Sequence, residues 1–219
     1  MQDIVSRLAS LDTCAVSDAL DKLGLPGCVT GLAPLSCQRR IAGRVHTVKL
    51  AKKDEAAATS GPPRHLGSNA ILAAEPGDII VVEQRTGIDA GSWGGILSLG
   101  AKLRDVAGVI ADGPVRDVDE ARQMDFPIYG RRPTARTARG RIAEIATDVP
   151  VTIGDVVVNP GDFALADGSA VVFIPAAEAE RVAAEAEKIA AREAAMADAL
   201  RQGKPITEVM GADYEHMLR

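Results

Sequence analysis

The sequence predicts an α/β fold with a largely parallel sheet, and three observations carry that prediction. Between residues 43 and 130, short β-branched runs alternate with helical stretches, the pattern of βαβ units. Between 139 and 176, turn signals recur every few residues, marking short strands in a meander or partial barrel. The Ala/Glu-rich segment 176–203 then reads as one long helix.

In chain order, "IVSRLASL" and "TCAVSDALDKLG" form two short helices within residues 3–23, the second capped at Asp12-Thr13 and ended by Gly24 and Pro26. "GRVHTVKLA" (43–51) alternates as a strand, with Val45, Thr47 and Lys49 on one face and His46, Val48 and Leu50 on the other. "RHLGSNAILAAE" is a short helix closed by Pro76-Gly77, and "DIIVVEQ" is the next strand. Ser92 is a candidate cap for a helix running to about Asp105. "GVIA" (108–111) is a short buried strand, "DVDEARQMDF" a helix and "PIYG" a third short strand. In the long terminal helix Val182, Ile189 and Met196 repeat every seven residues, with Ala186, Ala190 and Ala194 beside them. A helix of this length and small-residue stripe suits contact with a neighbouring subunit. No linker or repeat interrupts the chain. It reads as a single domain over 1–219: N-terminal helices (1–25), an α/β core (26–175) and a C-terminal helical extension (176–219).

Composition narrows the function classes. The 219 residues are 47% apolar and only 3% aromatic, so the core must be Ala, Val, Leu and Ile. A net charge of −5 and a pI near 5.3 supply no basic stripe, so no nucleic-acid partner is expected. Small anions remain possible, because one Arg and a few backbone N–H groups can hold them. Cys14, Cys28 and Cys37 are odd in number and lack a CxxC pair, which argues against a disulfide framework or a zinc site. Cys14 and Cys28 are expected as small buried side chains. No secretory pattern opens the sequence, and no apolar run approaches the ~20 residues of a membrane span. A soluble cytoplasmic protein is the expectation.

Two junctions between loop and helix, 91–97 and 112–117, carry the candidate chemistry, because ligands of α/β sheets collect beyond the C-terminal strand ends. The first, "GSWGGIL", offers a helix start whose free N–H groups suit a carboxylate or phosphate, with Gly94 and Gly95 allowing close approach. Its alternative is a tight turn that needs glycine. The second, "DGPVRD", pairs Arg116, a planar fork for a carboxylate, with Asp117, a hard oxygen donor for Mg²⁺ or Mn²⁺. The same residues also suit a plainer arrangement, in which Asp117 caps a helix over 118–125 and Arg116 is solvated. Taken together the junctions describe an α-keto acid site, with the metal polarising the carbonyl next to the held carboxylate. His46, His65 and His216 form no paired motif; His46 reads as a core or partly exposed residue. Asp112 reads as serving the turn before Pro114, or as supporting the site. Glu193, on the terminal helix, is solvated unless that helix reaches a neighbour's site.

The order "PGDIIVVE", "WGGILSLGAKLRDVAGVIADGPVRD" and "NPGDFALADGSAVVFIP" resembles the RraA-like family, over nearly the whole chain. That family includes 4-hydroxy-4-methyl-2-oxoglutarate/4-carboxy-4-hydroxy-2-oxoadipate aldolases, regulators that inhibit a ribonuclease, and members labelled demethylmenaquinone methyltransferase-like. The sequence carries no nicotinamide or S-adenosylmethionine fingerprint. The resemblance implies a swivelling β/β/α domain, in homotrimers or dimers of trimers with active sites between subunits. It implies a class II pyruvate aldolase using Mg²⁺ or Mn²⁺, which cleaves 4-hydroxy-2-oxo acids to pyruvate plus a second oxo acid and decarboxylates oxaloacetate through the same pyruvate enolate. By position, Arg116 would bind substrate and Asp117 the metal. Gly94, Gly95, Ile96 and Leu97 would hold the pyruvate carboxylate, and Glu193 would reach a neighbour's metal waters. Two alternatives belong to the same resemblance: a non-catalytic regulator of ribonuclease activity, and a lyase or hydratase for another oxo acid. One departure stands out: the family loop reads Trp-Gly-Glu/Asp-Leu-Leu, and Gly95 stands in the acidic position.

Overall fold

In the computed structural model, residues 3–56 and 65–211 are described. Helices α1 (Ile4–Ala9) and α2 (Thr13–Leu23) open the chain. The Asp12 side chain caps α2 by accepting the Ala15 N–H at 2.8 Å, and Gly24 ends it in the left-handed region at φ 68°, as the sequence predicts. After the short strands β1 (Cys28–Val29) and β2 (Ala33–Pro34), the core alternates β3 (Ile41–Lys52), α3 (Ser68–Ala73), β4 (Ile79–Glu83), α4 (Gly95–Lys102), β5 (Gly108–Val115), α5 (Val118–Gln123) and β6 (Ile128–Pro133). Strands β3, β4, β5 and β6 pair parallel in that order. The predicted meander follows as β7 (Ile142–Thr147), the hairpin β8 (Val151–Ile153) and β9 (Val156–Val158), β10 (Phe163–Ala166) and β11 (Val171–Ile174). Helices α6 (Ala179–Arg201) and α7 (Ile206–Val209) end the described chain.

Strand β3 joins the two halves of the sheet. Its first residues pair antiparallel with β10, its middle with β4, and its last residues with β7 on a bulged register. Because one long strand serves several neighbours in turn, the sheet curls into a half-barrel. Its buried face changes along the way. Ile41 and Val45 point into the barrel interior, whereas Val48 and Leu50 point into the layer under α3 and α4.

Three apolar layers result. The barrel interior holds Val81, Ile110, Ala164 and Phe173, and is closed by Val151, Ile153, Val156 and Val158 of the hairpin. A second layer packs Ile80, Val82, Val109 and Ala111 against Trp93, Leu97 and Ala121 of the crossover segments. The third packs Leu165, Val172 and Ile174 against α1, α2 and α6. Strands β4 and β5 are buried on both faces, which is why they read as unbroken apolar runs. Helix α6 buries Val182, Ala186 and Ile189 in the third layer. Past Ile189 it has no buried residue, so the predicted stripe loses contact before Met196, which is half-exposed. No helix among the described residues is long and apolar enough to cross a membrane.

Three expectations are corrected. Strand β5 does not stop at Ala111 but runs on through Asp112-Gly113-Pro114 to Val115. A proline is tolerated there because β4 has already ended at Glu83, on the side where the missing N–H would have bonded. Ser92 does not cap α4; Gly94 occupies the cap position, and the Ser92 hydroxyl donates to the Pro114 carbonyl at 2.8 Å. Cys14 is exposed, because it lies off the α2 stripe of Thr13, Val16 and Leu20 that faces the core; Cys28 and Cys37 are half-buried.

Candidate functional site

The fold brings the two junctions together at the C-terminal ends of β4 and β5, and backbone bonds fasten one to the other. Ser92 N–H donates to the Pro114 carbonyl at 2.8 Å, and Arg116 N–H donates to the Trp93 carbonyl at 2.9 Å. Between them Trp93 is buried, its indole N–H donating to the Ser98 hydroxyl at 3.1 Å and fixing the first turn of α4. Thus segment 92–94 lies along 114–116 like an added strand, and α4 starts directly beside Asp117.

Asp117 does not cap its own helix. It sits at the cap position of α5 in the left-handed region, φ 57° and ψ 36°, with no side-chain bond to that helix. Its Oδ2 instead accepts the Gly95 N–H at 3.0 Å, so this carboxylate caps α4. The first intrahelical bond nearby runs from Ser98 N–H to Gly94 O, which leaves Ile96 and Leu97 N–H as first-turn donors without an intrahelical acceptor. The Ile96 side chain is 80% exposed, while that of Leu97 packs into the core, so backbone N–H groups are what this turn can offer a ligand.

The stem of Arg116 lies against Gly91, where an added Cβ would come within 2.3 Å of its Cγ. The Arg116 guanidinium stands 3.7 Å from Asp117 Oδ1. Its Nε is buried and has no hydrogen-bond partner among the described residues. Glu120, one turn after Asp117 on α5, turns its carboxylate toward Gly95: a Cβ built there would fall 1.9 Å from Glu120 Oε2. Sequence reading missed this residue, although its i, i+3 spacing from Asp117 was visible.

Whether a divalent metal fits is decided by the donor set. No group of three or more His, Cys, Asp or Glu among the described residues could hold an ion. Asp117 and Glu120 both approach the Gly94-Gly95 start of α4 and carry hard carboxylate oxygens. That matches Mg²⁺, which takes one or two protein carboxylates and keeps its waters.

The other predicted residues fall elsewhere. Asp112 lies inside β5 rather than in a turn; it accepts Arg131 Nε at 2.7 Å and Gly154 N–H at 2.8 Å, tying β5 to β6 and to the hairpin. His46 is half-buried between Asp148, 3.0 Å from Nδ1, and Asp78, 3.2 Å from Nε2. His65 is exposed, and His216 lies outside the described residues. Glu193 is exposed on the far part of α6, where partial burial and the charges of Asp12 and Asp18 push its carboxyl above the usual range. A separate cleft of about 410 Å³ at the same strand ends is lined by Gln84, Arg85, Asp112, Pro114, Arg131 and Arg132, but by neither Arg116 nor Asp117.

The family model described as RraA-like, Aldolase/RraA, matches residues 13–173, most of the chain and both junctions. A relative from Halalkalibacterium halodurans, which carries the provisional name 4-hydroxy-4-methyl-2-oxoglutarate aldolase, is 30% identical over 79% of this chain and 77% of its own. Protein DlpA of Legionella pneumophila is 26% identical over 80% of this chain, which spans only 28% of that protein's length. Among solved structures, an uncharacterized protein from Pseudomonas syringae pv. tomato superposes with a TM-score of 0.83 at 27% identity, covering 95% of this chain and 93% of the other. With the curled sheet, the crossover helices and the long C-terminal helix already in place, the chain belongs to the RraA-like family.

Proposed function

We infer that the protein is a divalent-metal-dependent lyase, which cleaves 4-hydroxy-2-oxo acids to pyruvate and a second oxo acid and decarboxylates oxaloacetate as a side reaction. The observation that carries this reading is the joined pair of junctions. Arg116, whose Nε has no partner among the described residues, and the first-turn Ile96 and Leu97 N–H groups would form the carboxylate cradle, next to the Asp117 carboxylate that caps the same helix. The family match and the aldolase-named relative support the same class.

In this reading Arg116 and the α4 N-terminus grip the 1-carboxylate of the 2-oxo acid, and Asp117 faces the adjacent 2-oxo group. Mg²⁺ or Mn²⁺ held by Asp117 would supply Lewis-acid polarisation of that carbonyl. The C3–C4 bond then breaks and its electron pair passes into the enolate of pyruvate; the 4-hydroxyl gives its proton to water as C4 becomes a carbonyl, and C3 takes a proton from water to complete pyruvate. In oxaloacetate the same bond breaks with loss of CO₂. Arg116 stabilises the negative charge that builds on the pyruvate unit. The exposed apolar residues Leu72, Ile96, Leu99 and Leu103 around α3 and α4 suit a homotrimer or a dimer of trimers, with Glu193 arriving from a neighbouring subunit.

The test is to incubate the protein with oxaloacetate and with 4-hydroxy-4-methyl-2-oxoglutarate, with Mg²⁺ or Mn²⁺ and after EDTA, and to measure pyruvate. Metal-dependent release from either substrate supports the reading. Release from neither overturns it and leaves the two alternatives, a non-catalytic regulator and a lyase or hydratase for another oxo acid.

A further inference from the structure

We propose that Glu120 is the second carboxylate of the Asp117 site, and that residue 95 is glycine to make room for it. The proposal rests on the metal-dependent reading above. Gly95 is the first residue of α4 and its φ is not positive, so its backbone does not require glycine. Glycine is also the poorer helix former, by up to about 1 kcal/mol against alanine in a helix interior. What the position requires is space. A Cβ there would lie 1.9 Å from Glu120 Oε2, 2.9 Å from Glu120 Cδ and 3.2 Å from Asp117 Cβ. A side chain at 95 would therefore push the Glu120 carboxylate, the flexible end of an exposed side chain, out of its present place and press on Asp117 Cβ.

Charge placement supports the same assignment. Acidic residues favour the first turn of a helix, yet the first turn of α4 carries none of its own. Both carboxylates come across from α5, where the i, i+3 spacing puts Asp117 and Glu120 on one face. The neighbouring bases are engaged elsewhere, which leaves Glu120 available to a cation. Arg116 faces Asp117, and Arg122 pairs with Asp119 on the other side of α5. Asp117 spends one oxygen on the Gly95 N–H, so a second carboxylate supplies negative charge that Asp117 alone gives only in part.

The experiment measures Mn²⁺ binding to the full-length, chelator-stripped protein by titration calorimetry and by the electron paramagnetic resonance of the free ion. Circular dichroism establishes that each variant is folded. Glu120→Gln is expected to weaken Mn²⁺ binding about 10–100-fold, the usual effect of losing a supporting carboxylate at a metal site. Asp119→Asn, the same charge change one residue away, is expected to stay within about threefold, since an exposed charge is largely screened. Gly95→Ala, which alters no charge, is expected to weaken binding by displacing Glu120, and Gly95→Glu in the Glu120→Ala background, where the space is open, to restore part of it. If Glu120→Gln binds Mn²⁺ as the unaltered protein does, while Asp117→Asn does not, Glu120 has no such role and the metal-dependent reading survives. If the unaltered protein itself binds no Mn²⁺, that reading and this inference are both overturned.

Discussion

Gly95 donates its backbone N–H to Asp117 Oδ2 at 3.0 Å, so a residue at the start of α5 caps α4 from twenty-two positions away. The carboxylate thereby has two roles, to close a helix end and to face the ligand site, and these can be separated. Asp117→Asn keeps an acceptor for Gly95 and tolerates the left-handed backbone. It is expected to lose metal-dependent pyruvate release with little change in melting temperature. Asp117→Ala should lose the same activity and in addition about 0.5–2 kcal/mol of stability, the usual value of a helix cap. Denaturant melts of both variants, beside their pyruvate assays, check this; an active Asp117→Asn would refute the metal role.

Arg116 works through its shape as well as its charge. Arg116→Lys retains the cation but not the fork, and is expected to raise KM for the oxo acid about tenfold or more. Gly91→Ala should have a similar effect from a distance, because its methyl group would displace the Arg116 stem. Steady-state kinetics with oxaloacetate read both effects; an unchanged KM in Arg116→Lys would show that a simple positive charge suffices.

Asp112 is predicted to act on stability alone. It is buried, and it satisfies both Arg131 Nε and the Gly154 N–H. Asp112→Ala is expected to cost about 1–3 kcal/mol, since it leaves both donors short of an acceptor. Mn²⁺ affinity should remain as in the unaltered protein. A loss of affinity at full foldedness would show that this tie also shapes the metal site.

Glu193 gives a pH-dependent test. Burial, then Asp12 and Asp18, raise its carboxyl above the ordinary 4.5. The folded state thus binds this proton more tightly than the unfolded chain does. Its contribution to stability is greatest below the unfolded value and is lost as pH rises through the folded one. Glu193→Gln is expected to melt higher than the unaltered protein at neutral pH, and the difference to vanish below about pH 4.5. Melting curves across that range decide it: a variant that melts lower at neutral pH would show that the charge is held by an attractive partner.

The sequence by itself determined the alternation of strands and helices, the caps at Asp12 and Gly24, the glycine-rich start of α4 and the pairing of Arg116 with Asp117. These features are local: periodicity, cap chemistry and turn residues act within a few positions of one another. It also carried the family pattern and the departure from it at Gly95. Tertiary structure decided the partners. The length of β5 depended on where β4 ended, because only then could Pro114 continue the strand. The exposure of Cys14 depended on which stripe of α2 met the sheet. Asp117 turned to α4 rather than to its own helix because the Ser92–Pro114 and Trp93–Arg116 bonds set that helix start beside it. The closeness of Gly95 to Glu120, on another helix, was likewise set by tertiary structure, since contacts between side chains distant in sequence leave no trace in local pattern.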